Sequence, residues 1–327
     1  MSLLIVIVNF RVPDLVIDCL RSLQGELGSV PGMQVAVCEN GSGDDSAARI
    51  GQAIAANGWD RWCHFDVRQT NLGFTGGNNV LIRPALEGPA PPDYVLLLNP
   101  DTVVRPGALA ALTGFLDRHP AAGIAGSRLE DPDGTPQRSA FRFQSPLSEF
   151  EAALRFGPVS RLLARWSVAP PVVDVPIRTD WVAGASLMVR RQVFSDIGLL
   201  DEGFFTYFDD IDFCFNAARK GWQTWYVPES RVVHLVGQST GIDGSRRRLP
   251  AYMLEARRRH FLKNHGPVTA ALADAGALAG HALAGLRARL SGRRAEMIPH
   301  VLGDTFRHSV FAKGFAVPVV QAPAPKR

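Results

Sequence analysis

The sequence predicts an α/β fold on a mostly parallel, doubly wound sheet, with a C-terminal helical extension. Short β-rich runs alternate with amphipathic helical patterns through the first part of the chain. The opening run Leu3–Val8 is continuously aliphatic, as in strands buried on both faces. Small polar clusters follow three of the runs, on the edge where such sheets bind ligands.

After the first strand, Pro13 opens a helix, where its missing N–H costs nothing, and Leu15, Val16, Cys19, Leu20 and Leu23 form one apolar face. Gln34–Cys38 reads as a second strand and Asp44–Ala56 as a second helix. His64–Val67 is a third strand, followed by a helix over Gly77–Ala85. Tyr94–Leu98 is a fourth strand, Pro106 starts a helix carrying Leu109, Leu112, Phe115 and Leu116, and Ala122–Ala125 is a fifth strand. From Arg128 to Asp180 seven prolines break the pattern around one helical island, Leu147–Phe156, which reads as a long excursion forming part of a cleft or a lid. Regularity returns with a strand over Trp181–Val189, a helix over Arg191–Ile197, and a helix after Asp209 running to Lys220 with Phe213, Ala217 and Ala218 inward. Thr224–Val227 is the last clear strand. Residues 1–265 are expected to form one domain with halves at 1–127 and 128–265; residues 266–327 form an Ala/Leu/Arg-rich helical tail with a proline-rich, disordered end.

Composition narrows the class. A chain of 327 residues, 46% hydrophobic and 20% charged, is neither fibrous nor wholly disordered. Its net charge of +4 is mild, and no nucleic-acid partner is expected. Positive charge gathers at Arg246-Arg247-Arg248 and at Arg257-Arg258-Arg259 with His260, Lys263 and His265. A solvated helix face accounts for such runs; so does attraction to phosphate, in a ligand or at an anionic membrane surface. Cys19, Cys38, Cys63 and Cys214 show neither a C-x-x-C pair nor zinc-finger spacing to histidine, which fits a reducing, cytoplasmic compartment. The first apolar run lacks a charged leader, and Thr269–Gly285 is interrupted by Asp274 and His281, so no membrane span is expected.

Four segments carry candidate chemistry. In Asn99-Pro100-Asp101 a carboxylate stands directly beyond a buried strand, where it can hold Mg2+ or Mn2+ against a diphosphate; a turn capping the next helix is the alternative. Asp209-Asp210-Ile211-Asp212 opens a helix, which acidic residues favour by complementing its dipole, and one of these carboxylates can equally serve as a general base. The preceding Phe204–Phe208 offers aromatic surface for a sugar, and Asp212 does not share a face with Asp210 and reads as structural. His234 follows Val232-Val233 and precedes Gly237-Gln238-Ser239; it is either a metal or diphosphate ligand or a satisfied polar residue. Asn71–Asn79 is a glycine-rich loop leading into a helix, suited to a phosphate or sugar, and it is not the G-x-G-x-x-G dinucleotide fingerprint.

In order, these segments resemble the family 2 glycosyltransferases of the GT-A fold, especially a bacterial rhamnosyltransferase-like branch. The resemblance is carried by Ile7-Val8-Asn9-Phe10, Glu39-Asn40-Gly41-Ser42, Asn71-Leu72-Gly73-Phe74, Gly76-Gly77-Asn78-Asn79, Leu98-Asn99-Pro100-Asp101, Trp181–Ala185, Gly198–Glu202, Phe208–Phe213 and Val233-His234, over roughly the first four-fifths of the chain. It implies a nucleotide-sugar donor (dTDP-rhamnose first), inverting displacement, and a glycan or lipid-linked acceptor for cell-surface synthesis. Residues 1–127 become the nucleotide-sugar half and 128–265 the acceptor half. Asn9, Glu39, Asn71, Gly76, Gly77, Asn78 and Asn99 are implied at the nucleotide and donor sugar, with Glu39 where the family usually has Asp. Trp181, Gly184 and Asp209 are implied at the acceptor, Asp210 as the base, and Asp101 with His234 as the ligands of Mg2+ or Mn2+. Asn99 departs from the family's D-x-D pattern, and Asp209 stands where Glu is usual. The basic segment and tail would let a cytoplasmic enzyme rest on the inner face of the plasma membrane. Oligomeric state is not readable from the sequence. A glycoside hydrolase would need two carboxylates flanking a glycosidic bond and has no use for a nucleotide edge; the other alternative is a non-catalytic nucleotide-sugar-binding module, against which Asp101, Asp210 and His234 argue.

Overall fold

A computed structural model describes residues 2–235, 248–292 and 298–321. Gly237-Gln238-Ser239, Arg246-Arg247 and residues 322–327 of the proline-rich end, all singled out from the sequence, lie outside the described residues. The chain runs β1 (Leu3–Asn9), α1 (Pro13–Gln24), β2 (Met33–Asn40), α2 (Ser46–Ala56), β3 (Cys63–Arg68), α3 (Gly73–Glu87), β4 (Tyr94–Leu98), β5 (Thr102–Val104) and α4 (Ala108–Arg118). It continues with β6 (Ala122–Glu130), β7 (Ala140–Phe141), α5 (Pro146–Leu154), α6 (Gly157–Leu162), β8 (Ile177–Thr179), β9 (Trp181–Val182), β10 (Ser186–Arg190) and α7 (Arg191–Ile197). The last elements are α8 (Asp209–Arg219), β11 (Gln223–His234), α9 (Ala251–Leu290), α10 (Val301–Arg307) and α11 (Val310–Lys313). Two compact units divide these elements: one of residues 2–141, 171–202 and 213–235, the other of 142–170, 203–212 and the described residues from 248 onward.

The first unit is built on a sheet of order β3-β2-β1-β4-β10-β6-β11-β5, with β8 also on β11. The expected parallel pairing joins β3, β2, β1 and β4. Beyond β4 the sheet becomes mixed, because β10 runs antiparallel to both β4 and β6, while β6 and β11 are parallel. The single strand expected over Trp181–Val189 is two strands. The chain turns between them at Ala183–Ala185, so β9 pairs with β7 and β10 enters the main sheet. β11 is longer than expected, since a register shift between Val227 and Arg231 lets one strand continue past Pro228 to pair with β5. Core side chains are aliphatic and aromatic, with Ile5, Ile7, Val16, Leu20, Leu96 and Leu112 sealed from solvent. Ala218, expected inward on α8, is exposed, whereas Phe213 and Ala217 are buried.

Helix α3 begins at Gly73, four residues before the sequence suggests, so the glycine-rich segment is its first turn. Side chains from elsewhere supply what propensity does not: Asn71 Oδ1 accepts from the Gly73 N–H at 2.8 Å, and Asn40 Oδ1 from the Leu72 N–H at 3.0 Å. Gly77 permits the close approach of α3 to β1, since a Cβ there would stand 2.7 Å from Val8 Cγ1.

In the second unit α5 lies along α9, which changes direction at Gly266 (φ 78°) just before Pro267. A solvated basic face at Arg257–Lys263 is not what forms. Arg257 lies between Glu149 and Asp274, Arg258 pairs with Glu255 at 2.7 Å, His260 is buried, and Lys263 pairs with Asp212 at 2.7 Å. These cations neutralise the unit's own carboxylates, because burying either sign alone costs more than burying the pair. Desolvation holds His260 neutral, its pKa pushed down to about 3. Among the described residues no helix is long and apolar enough to cross a membrane.

Candidate active site

In the first unit the polar clusters gather at the carboxyl ends of β1, β2 and β4, as the ligand rule for such sheets requires. Asn9 and Glu39 sit opposite each other in the β1–β2 register. Asn9 Oδ1 accepts from the Val12 N–H and its Nδ2 donates to Ser42 Oγ, both at 3.3 Å. Glu39 is buried, and its two oxygens accept from the Gly41 and Ser42 N–H groups at 3.2 and 2.9 Å. That turn requires glycine: Gly41 has φ +67°, and a Cβ would meet the Thr70 carbonyl carbon at 2.4 Å.

Asn40 and Ser42, which have no role of their own in the sequence reading, organise this edge. Asn40 Nδ2 donates to Asn71 Oδ1 at 3.1 Å and to the Gly73 carbonyl at 2.9 Å, tying β2 to the start of α3. Ser42 Oγ accepts from the Arg11 N–H at 2.9 Å, and its carbonyl from Arg11 Nε at 3.0 Å. Both residues lie inside the Glu39-Asn40-Gly41-Ser42 segment, so the signal was present; the partners lie about thirty residues away. Gly76, Gly77 and Asn78 are buried in the first turns of α3, where Asn78 Nδ2 donates to the Phe74 carbonyl at 2.8 Å. Asn79 is committed elsewhere, bonding to Leu200 and Glu202.

Asn99, Asp101 and His234 converge. The Asn99 N–H donates to the Ala185 carbonyl, Thr102 Oγ1 donates back to the Asn99 carbonyl at 2.7 Å, and the Leu235 N–H donates to the Asp101 carbonyl at 3.0 Å. His234 pairs with Thr102 in the β11–β5 ladder, so main-chain bonds fix the relation between the imidazole and the carboxylate. His234 Nε2 stands 3.5 Å from Asp101 Oδ1 and 3.4 Å from Asn99 Nδ2. Asp101 is 4% exposed, and its Oδ1 accepts no hydrogen bond among the described residues. A buried carboxylate oxygen without a donor is costly. A divalent cation would satisfy it, since adjacent donors about 2.1 Å from an octahedral ion stand about 3 Å apart, near the observed spacing. Among the described residues no three His, Cys, Asp or Glu side chains are grouped so that they could hold a metal ion, and at this edge the candidate donors are Asp101 and His234, with Asn99 beside them.

Trp181 stacks on Phe141 at 4.2 Å between ring centroids, within the β7–β9 ribbon. Gly184 lies in the turn between β9 and β10. In the second unit Asp209, Asp210 and Asp212 occupy the first turn of α8. Asp209 is buried, and desolvation together with the Asp210 charge holds its carboxyl well above the usual range. Asp210 is half-buried, its Oδ1 accepting from the Ile211 N–H at 2.9 Å. Asp212 accepts from Lys263 Nζ and Asn264 Nδ2, both at 2.7 Å, which makes it the structural member of the three.

The chain is similar to known proteins in sequence and in fold. Over 161 residues the chain is 32% identical to an N-acetylglucosaminyl-diphospho-decaprenol L-rhamnosyltransferase of Mycobacterium tuberculosis, covering 46% of this chain and 50% of that protein. Over 164 residues it is 27% identical to a rhamnosyltransferase of Escherichia coli, covering 50% and 60% respectively. The matches therefore span only half to three-fifths of those relatives. In fold it is similar to GalNAc-T7, solved with UDP, GalNAc and Mn2+, at TM-score 0.57 and 14% identity, covering 97% of this chain and 58% of that one. Residues 2–259 match the family described as glycosyltransferase like family 2, and the chain, with its α/β GT-A architecture, belongs to that family.

Proposed function

We propose that the protein is an inverting, divalent-metal-assisted glycosyltransferase that moves rhamnose from dTDP-rhamnose to a hydroxyl of a glycan or lipid-linked acceptor in cell-surface synthesis. The observation that carries the reading is Asp101 Oδ1, buried without a donor among the described residues at 3.5 Å from His234 Nε2. The choice of rhamnose is supported by the names of the two curated relatives, and that of a lipid-linked acceptor by the first. Manganese in the GalNAc-T7 structure supports a metal in this fold.

Asp101 and His234 would hold Mg2+ or Mn2+, which when bound supplies positive charge against a leaving diphosphate. Asn9, Glu39, Asn71 and Asn99, with Gly76, Gly77 and Asn78 at the start of α3, are proposed to line the nucleotide and donor sugar. Glu39 still has lone pairs beyond the two taken by backbone N–H groups, leaving acceptor capacity for a base edge. The N-terminal end of α3 favours a negative ligand. Trp181 and Gly184 in the first unit, and Asp209 in the second, are assigned to the acceptor. Asp210 is assigned as the base that takes the proton of the attacking hydroxyl. A cytoplasmic location on the inner membrane face suits such an acceptor.

The test is thermal protection by a panel of nucleotide sugars, with and without Mn2+, followed by transfer assays on the compounds that protect. Protection by dTDP-rhamnose above UDP-hexoses, strengthened by Mn2+, is the expected result. No protection by any nucleotide sugar would sink the reading.

A further inference from the structure

The half of α9 that follows Gly266 has its side chains the wrong way round for a helix that faces water. Its buried line is small: Ala270 and Ala273 pack with Phe261, Leu262 and Val310, and Ala277, Gly280 and Ala284 continue the line on a helix that packs along α5. The approach is close: a Cβ on Gly276 would stand 2.7 Å from the Pro146 carbonyl oxygen, and one on Gly280 2.7 Å from Ala153 Cβ. The large apolar side chains point the other way. Val268, Leu272, Leu283, Leu286 and Leu290 are between 48% and 82% exposed. At about 100° per residue they fall within an arc of roughly 60°, bridged on the same line by Ala275 and Ala279. Arg289 is the one exposed residue of that half with a polar side chain. Its 24 residues, Pro267 to Leu290, make a stripe roughly 36 Å long. Phe306, Phe311 and Phe315, each more than half exposed, add aromatic surface to the same unit.

An ordinary surface helix turns its polar face to water, and a continuous exposed apolar line marks a binding surface. Charge identifies the partner. From residue 267 to the end the sequence has eight Lys and Arg against three Asp and Glu. Two of the acids, Asp274 and Asp304, are buried in pairs with Arg257 and Arg248. The third, Glu296, lies outside the described residues. Arg289, Arg307 and Lys313 are exposed. Leucine and phenylalanine flanked by arginine and lysine, on a helix unable to cross a bilayer, is the chemistry of a helix lying in an anionic membrane interface.

We infer that the exposed apolar stripe of α9 from Val268 to Leu290, with the phenylalanines of the following segment, is a docking face for an anionic lipid surface. This replaces the basic cluster at Arg257–Lys263, whose charges are consumed inside the unit. The docking face needs nothing from the transfer reading, although a lipid-linked acceptor would be met at the same surface.

The experiment is co-sedimentation of the full chain, at physiological salt, with vesicles of phosphatidylcholine alone or mixed with phosphatidylglycerol. The comparison is a Leu272→Gln/Leu283→Gln/Leu286→Gln variant, whose exposed positions leave the fold and Tm unchanged. The wild type should bind the phosphatidylglycerol vesicles, and the variant at least about tenfold more weakly. Transfer to a water-soluble acceptor should be equal in both, so failure of the docking face and failure of the transferase reading are read separately. Absence of wild-type binding, or equal binding by the variant, overturns the inference. So does a wild-type dimer that the variant dissociates without any vesicle binding, since a second copy then covers the stripe.

Discussion

Asp101 and the aspartates that open α8 present the same functional group in opposite physical settings. Asp101 is held by main-chain bonds of β5 and β11, buried beside one imidazole, and left with an oxygen that no described donor reaches. The α8 aspartates crowd one helical turn, where the helix dipole favours them but their mutual repulsion does not. The second unit resolves the conflict unequally: Asp212 is neutralised by Lys263, Asp209 is pushed toward its protonated form, and Asp210 is the half-buried member. A lone carboxylate on a sheet edge keeps an unsatisfied oxygen, whereas a crowded set divides its members among ion pairing, protonation and partial exposure.

The largest effect is expected at Asp210. Asp210→Asn is expected to lower kcat by about 10²–10⁴-fold while leaving thermal protection by the nucleotide sugar intact. Unchanged turnover would remove the base assignment. Asp101→Ala should lower kcat/KM by about a hundredfold and flatten its dependence on Mn2+ concentration, with His234→Ala in the same direction and smaller. If Mn2+ titrations of wild type and Asp101→Ala coincide, Asp101 is not a ligand.

Stability separates the other two aspartates. Lys263→Met removes the ion pair of buried Asp212 and leaves its hydrogen bond from Asn264, and should cost about 1–3 kcal/mol in denaturant unfolding, discounted for the partial exposure of Lys263. The smallest effect is at Asp209. Its folded pKa is raised, so the folded state holds a proton that the unfolded state has released once pH exceeds about 3.9. Stability is therefore lost as pH rises from there toward the folded value. Asp209→Asn should raise Tm at pH 7, with the gain vanishing near pH 4; a gain independent of pH would point to packing instead.

Much of the site edge was legible because strand ends are local events. A buried aliphatic run such as Tyr94–Leu98 must stop somewhere, and Asn99-Pro100-Asp101 marks where. The start of α3 was not legible at Gly73, because Asn40, about thirty residues earlier, supplies the bonds that glycine-rich sequence lacks. The β9–β10 break was missed for a similar reason: apolar character runs through Trp181–Val189, while the pairing of β9 with β7 decides where the chain turns. The basic cluster was misread because charge is visible in sequence and its partners Glu149, Asp274 and Asp212 are not adjacent.

By itself, the sequence determined the α/β class, the strand ends at which the polar clusters gather, and the ordered motifs of a glycosyltransferase, since each rests on residues near one another in the chain. Tertiary structure alone decided that the β11–β5 ladder sets His234 at 3.5 Å from Asp101, that Asn40 and Ser42 hold the edge together, and that α9 packs its alanines and exposes its leucines. These are matters of partners distant in sequence, and apolar periodicity fixes that a helix has a face without fixing which face meets the core.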